Sequence, residues 1–150
     1  MPTTLPGIPV PVRWTDDGLA VHLLDQTLLP REERHLRLET VGEVAEAISA
    51  LRVRGAPAIG IAAAMGLAMG TMRRIEEGFH GSENPEIRWL EDGFQADAGI
   101  LRVTRPTAVN LSWALDRMGR VFRAEISEGH GHKLGLKSLL HSPFRLLEDG

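Results

Sequence analysis

The chain has 150 residues, 43% of them apolar and 25% charged, with a net charge of −3 and no cysteine. This is the make-up of one ordinary globular domain with a core. It excludes disulfides, cysteine-ligated metals and thiol catalysis within these residues, and it gives no general attraction to nucleic acid or to an anionic membrane.

Residues 1–10 are proline-rich and are expected to be ordered only where they lie against the domain. No basic stretch leading into an apolar run opens the chain, so no signal peptide is expected. Val12-Arg13-Trp14, the turn residues Asp16-Asp17-Gly18 and the run Leu19 to Leu24 predict a β-hairpin. Asp25-Gln26-Thr27 follows, a trio that favours an Asx-type turn but could also face a site. The alternation of His35-Leu36-Arg37-Leu38 predicts a third short strand.

Thr40 with Glu43 three residues on forms a capping box and predicts a helix start. Val41, Val44, Ala45, Ile48 and Leu51 recur at helical spacing on one face. The chain then passes through Arg52-Val53-Arg54 into Gly55-Ala56-Pro57, and no charge appears from Gly55 to Met72. Four glycines and six alanines make this run too weakly hydrophobic for a membrane span, so it reads as a buried central helix from about Pro57 to Gly78. Its glycines lower helix propensity, and close approach of neighbouring helices is the expected compensation.

Residues 79–93 read as a polar loop in which 86–90 could form a helical turn, and residues 94–103 as a short helix. Thr104-Arg105-Pro106 breaks the chain, with Pro106 starting another helix. On that helix Val109, Trp113 and Ala114 are expected to share a face, joined by Met118 and by Val121 or Phe122. From about Ala124 the pattern loses its period, with Gly129-His130-Gly131-His132 and Pro143 as breakers.

The chemistry concentrates at two similar places. Arg54-Gly55-Ala56-Pro57 and Thr104-Arg105-Pro106-Thr107 each put an arginine just ahead of a proline-started helix. Free N–H groups and a guanidinium at a helix start suit an anion, phosphate above all, and two such mouths could converge on one phosphate. The plainer alternative is that each arginine pairs with a nearby acid or solvates a loop. Thr107 and Asn110 could bind a sugar hydroxyl, although capping the helix is the commoner use. His130, His132 and His141 lack an acidic residue at ligand-like spacing, so no metal is assigned. The neighbouring carboxylates Asp16-Asp17, Glu32-Glu33 and Glu76-Glu77 point apart and read as solvated positions.

The stretch Leu51-Arg52-Val53-Arg54-Gly55-Ala56-Pro57-Ala58-Ile59-Gly60-Ile61-Ala62-Ala63-Ala64 resembles the hallmark of the methylthioribose-1-phosphate isomerases. Leu24-Asp25-Gln26-Thr27-Leu28-Leu29-Pro30, Val44-Ala45-Glu46-Ala47-Ile48 and the segment from Thr104 to Met118 resemble further parts of that family, in the family's order. The resemblance covers about residues 10–120. It implies an α+β domain of short antiparallel strands followed by a helical bundle, without the family's C-terminal Rossmann-like domain. It also implies that Arg54, Gly55, Ala56 and Arg105 contact substrate.

What the family does is implied in the same way. Its members interconvert 5-methylthioribose 1-phosphate and 5-methylthioribulose 1-phosphate in methionine salvage. They are cytoplasmic homodimers that use no cofactor, and their small-molecule partner is a sugar phosphate. Their catalytic cysteine and aspartate lie in a second half that has no counterpart here, so the resemblance assigns no catalytic residue to this chain. Residues 1–123 are therefore expected to be an isomerase-like N-terminal domain, inactive alone, and 124–150 a divergent tail of the kind a frameshift leaves. Two alternatives stay open: a non-catalytic regulatory or binding module of the same superfamily, and a relative of the ribose 1,5-bisphosphate isomerases.

Overall fold

The computed structural model describes residues 11–78 and 87–127. Along the chain come β1 (Val12–Trp14), β2 (Val21–Leu24), a 3-10 turn (Gln26–Leu28), β3 (His35–Leu38), α1 (Val41–Ser49), α2 (Ala56–Gly78), α3 (Ile87–Arg102) and α4 (Val109–Ser127). The architecture is the expected α+β one, strands first and then helices around a small-residue helix. The breaker cluster and the three histidines after Glu128 lie outside the described residues, as do 1–10 and 79–86.

The strands form an antiparallel meander in the order β1-β2-β3. Val12 pairs with Leu23, Trp14 with Val21, and β2 in turn sets Val21 against Leu38 and Leu23 against Leu36. Strict alternation puts these apolar side chains on the inner face and leaves Arg13, His22 and Arg37 in a row on the outer one. The hairpin loop is tied by Asp17, whose carboxylate accepts from the Leu19 N–H at 3.0 Å and from the Thr15 hydroxyl. β2 begins at Val21, two residues later than the apolar run suggests, and Leu19 sits exposed in that loop.

Thr40 caps α1 as expected, its hydroxyl accepting from the Glu43 N–H at 3.1 Å. Val41, Val44, Ala45, Ala47 and Ile48 bury one face of the helix. The helix stops sooner than the periodicity predicts. Leu51 is not on the buried face: it is exposed and left-handed, at φ 59°. The Leu51 N–H donates to the Ile48 carbonyl and the Arg52 N–H to that of Ala47, which is the Schellman pattern, with leucine where glycine is usual.

α2 is the centre of the molecule, and α1, α3 and α4 all pack on it. Met65, Leu67 and Met69 are fully buried. Its glycines open room for neighbours, as expected. A Cβ at Gly66 would come within 2.8 Å of Val44 on α1, and one at Gly70 within 2.5 Å of Val41 and 2.7 Å of the Asp97 carboxylate on α3.

Two helices differ from the sequence reading. α3 starts at Ile87 and runs straight through Gly93, because Leu90, Phe94, Ala98 and Leu101 make one continuous buried stripe. Gly93 lies inside the helix, and the Arg74 side chain occupies the space its Cβ would need, 2.6 Å away. α4 starts at Val109, not at Pro106. Pro106 instead occupies a β-turn closed by the Ala108 N–H on the Arg105 carbonyl at 3.0 Å, a position that asks the same φ of proline as a helix start does. The buried face of α4 is Leu111, Ala114, Leu115, Met118 and Phe122, while Val109 is 78% exposed and Trp113 lies partly outside, beneath the Arg117 guanidinium.

Candidate anion-binding site

The site is the turn between α1 and α2, together with the turn between α3 and α4. The first turn is held from three directions. The Schellman bonds reverse the chain after Ala50. Val53, fully buried, anchors it to the core. Asp25 and Gln26, at the end of β2, grip it from the sheet side: the Gln26 N–H donates to the Arg52 carbonyl at 2.8 Å, and the Gln26 Oε1 accepts from the Arg54 N–H at 2.6 Å.

Asp25 is buried, its side chain only 4% exposed. Its Oδ1 accepts from the Thr27 N–H at 3.0 Å, the expected Asx turn, and its Oδ2 accepts from Arg52 Nη1 at 2.9 Å. Burial pushes the Asp25 carboxyl up, but the bonds from Thr27 and Arg52 outweigh it and hold the group below the usual carboxylate range. Arg52 also forks onto Glu46, one turn back on α1, with bonds of 2.9 to 3.2 Å. The sequence reading found the turn but missed this Asp25–Arg52–Glu46 triad, whose members are up to 27 residues apart.

Beyond the grip, the turn is open. Arg54, Gly55, Ala56 and Pro57 are all exposed. Gly55 has φ +92° with nothing within 4 Å of where a Cβ would stand, so glycine is needed there for backbone conformation and not for room. The Gly55 carbonyl accepts the first bond of α2, from the Ile59 N–H at 3.0 Å, which leaves the amides before it free of helical partners. The Arg54 Nε donates to the Leu51 carbonyl at 3.2 Å.

Arg105 is half-buried in the second turn, beside Thr104, whose hydroxyl caps the Leu101 carbonyl at the end of α3. Among the described residues neither Arg54 nor Arg105 pairs with a carboxylate, a state they share with Arg31, Arg73, Arg117 and Arg120, while Arg13, Arg34, Arg37, Arg52, Arg74 and Arg102 are paired. The starts of α2 and α4 lie side by side, since a Cβ on Gly60 would stand 3.2 Å from the Asn110 carbonyl oxygen. Gly60 is about 6 Å along α2 from its first residue, and Asn110 is the second residue of α4. The fold thus brings the two mouths to one end of the bundle. Thr107 and Asn110 are exposed there.

A polar cleft of about 620 Å³ borders the first turn at Asp25 and Arg52 and runs between β3 and α1. Its charges are mutually satisfied: Arg52 by Asp25 and Glu46, Arg34 by Glu32, Arg37 by Asp17 and Glu39. Among the described residues no group of three or more metal-ligating side chains occurs, and no helix is long and apolar enough to cross a membrane.

No protein-family model matches the chain. Individual proteins do. A methylthioribose-1-phosphate isomerase of Symbiobacterium thermophilum is 52% identical over 108 residues, 72% of this chain and 28% of that protein. One of Carboxydothermus hydrogenoformans is 48% identical over 73% of this chain, again 28% of the relative. A 5-deoxyribose 1-phosphate isomerase of Petrotoga mobilis is 44% identical over 77% of this chain and 31% of its own length. The chain thus spans less than a third of the curated relatives it matches.

Among solved structures, the 5-methylthioribose 1-phosphate isomerase of Pyrococcus horikoshii OT3 superposes with a TM-score of 0.74 at 33% identity, over 95% of this chain and 37% of that one. The translation initiation factor eIF-2B subunit delta of A. fulgidus gives 0.68 at 29% identity, over 93% and 36%. In sequence and in fold, the chain matches the N-terminal part of the methylthioribose-1-phosphate isomerases.

Proposed function

We propose that these residues form the phosphate-gripping part of a cytoplasmic, homodimeric aldose–ketose isomerase that acts on a 5-substituted ribose 1-phosphate, 5-methylthioribose 1-phosphate first, without a cofactor. Arg54, Gly55, Ala56 and Arg105 contact the substrate. Two guanidinium groups and the free amides ahead of α2 supply charge-assisted N–H···O⁻ bonds to the phosphate. Residues 1–123 act as one domain in this role. The groups that move protons between C1 and C2 of the sugar are not assigned to this chain, so alone it holds substrate without turning it over.

The observation that carries this reading is the pairing of two arginine-bearing turns at one end of the bundle, both guanidinium groups without a carboxylate partner among the described residues. Proton NMR of 5-methylthioribose 1-phosphate mixed with the chain tests it. The expected result is saturable binding, weakened at least tenfold by Arg54→Gln or Arg105→Gln, with no ketose signal. Turnover by the chain alone would sink the division of labour, and an Arg105→Gln variant that binds as well as the parent would remove the second mouth.

A second reading, a non-catalytic module that binds another protein, is favoured by the likeness to the initiation-factor subunit. Exposed Val103, Val109 and Trp113 support a contact surface near the second mouth for either a homodimer mate or such a partner. Failure to bind any sugar phosphate, with a stable protein complex in its place, would decide for that reading.

A further inference from the structure

We propose that Gln26 is a positioning residue for this anion site: its side-chain oxygen fixes the direction in which the Arg54–Ala56 backbone presents its amides. The proposal rests on the phosphate-gripping role of that turn.

At its outer end the turn has little packing to hold it. Arg54 to Pro57 are exposed, and the space around Gly55 is empty to 4 Å, so packing does not restrain the peptide planes there. The backbone is left-handed at Leu51, where the Schellman bonds fix it, and at Gly55, where glycine leaves it conformational freedom. Between those places the buried Val53 and the ion pairs of Arg52 hold the inner side, and a pair of hydrogen bonds from one residue holds the backbone. The Gln26 N–H takes the Arg52 carbonyl at 2.8 Å, and its Oε1 takes the Arg54 N–H at 2.6 Å. Gln26 thereby brackets Arg52 and Arg54 on one edge of the turn, two residues before the start of α2.

Gln26 is itself set by its neighbour. Asp25 is buried and tied to Thr27 and to Arg52, so the Gln26 backbone cannot shift without breaking the buried carboxylate's bonds. The restraint therefore runs from the end of β2 into the substrate turn. With the Val53–Arg54 amide plane held in advance, the next amides along, those of Gly55 and Ala56, meet an anion at a lower ordering cost. If Gln26 lets go, Arg54 can still reach a phosphate, but the amides beside it no longer point there.

The test uses the full chain, nitrogen-15 labelled and titrated with inorganic phosphate. Amide shifts of Gly55 and Ala56 report the dissociation constant, and hydrogen exchange of the Arg54 amide reports the Gln26 bond. In the unsubstituted chain the Gly55 and Ala56 amides are expected to shift. Gln26→Met, similar in shape but without an acceptor, is expected to raise the dissociation constant about fivefold, the worth of roughly one hydrogen bond, and to speed Arg54 exchange. Gln26→Glu keeps an acceptor and should keep Arg54 protected, which covers the case of a Met variant that fails to fold. A purely structural role would lower the urea midpoint and leave the dissociation constant of the folded protein unchanged.

A folded Gln26→Met chain with unchanged phosphate affinity overturns the role of Gln26 alone. So does a Gln26→Glu chain whose Arg54 amide exchanges freely. No amide shift at either mouth of the unsubstituted chain overturns the anion site, and the Gln26 role with it.

Discussion

Arg74 on α2 grips Asp97 on α3 through two bonds, Nε to Oδ2 at 3.2 Å and Nη2 to Oδ1 at 3.0 Å, and a glycine clears the space beside each partner. Gly70 makes room for the carboxylate and Gly93 for the guanidinium. Asp97 is almost wholly buried, whereas the Arg74 side chain keeps 31% of its surface. Asp97→Ala should therefore cost about 2 kcal/mol, less than the 3–5 of a fully buried pair because the freed guanidinium can reach water. Urea unfolding measures it, and a cost within error of zero would show that the pair adds nothing.

The glycines should respond with opposite signs. Gly70→Ala drives a methyl into Val41 and Asp97 and should destabilise by about 1–3 kcal/mol. Gly99, on the exposed face of α3 with nothing within 4 Å, should give the reverse. Gly99→Ala should stabilise by about 0.5–1 kcal/mol through helix propensity alone. Thermal melts of the two variants side by side decide this. Equal effects would mean that close approach at Gly70 is not what its glycine serves.

Leu51 occupies a left-handed position at the end of α1 with much of its side chain in water. Leu51→Gly should raise stability by about 0.5–1 kcal/mol, since the strain it relieves exceeds the extra chain entropy. Leu51→Ile should lower stability, because a β-branched side chain tolerates that conformation least. A melting temperature that falls for glycine would count against the strain.

Acid should loosen the sheet in two steps. His22 lies 2.8 Å from His35, nitrogen to nitrogen, so one ring must carry the shared proton and the other accept it. Burial, then Arg13 and His35, push His22 below its ordinary value of 6.5, with Asp16 opposing. A depressed histidine stabilises the fold fully above pH 6.5 and loses that contribution as pH falls through its lowered value. Asp17 is held down to about 2 from 3.8 by the Thr15 hydroxyl, the Leu19 amide and Arg37. Its contribution is full above pH 3.8 and drains away as pH falls towards 2. His22→Gln should flatten the first step and Asp17→Asn the second, in unfolding midpoints measured from pH 7 down. An unchanged acid profile in either variant would reject that assignment.

Much of this fold can be read before it is seen, and the reason is local. The hairpin, the Thr40–Glu43 cap and the third strand are each written within a few residues. Pro57 and the uncharged run after it mark α2 by composition. What escaped depends on distant partners or on degenerate signals. The loop expected up to Gly93 runs into α3, and the fit of Arg74, from another helix, into the space beside Gly93 leaves no mark in sequence. Pro106 asks the same φ in a turn as at a helix start, so the sequence could not say which. The triad of Asp25, Glu46 and Arg52 joins three elements that no spacing rule connects. At the candidate site Arg54 and Gly55 were legible as helix-mouth residues, whereas Arg105 stands in the turn ahead of α4 and not at its first residue. Gln26 was legible only as part of a turn that could face a site, since the backbone bond it accepts from Arg54 leaves no pattern in sequence.

The contact between Gly60 and the Asn110 carbonyl acts like the joint of a caliper. One absent methyl group sets how far apart the two arginine-bearing jaws stand. An added methyl, 3.2 Å from that oxygen, would open them by only a few tenths of an ångström. In the proposed phosphate site, the span between the two arginines can therefore be tuned from Gly60, a buried position on α2.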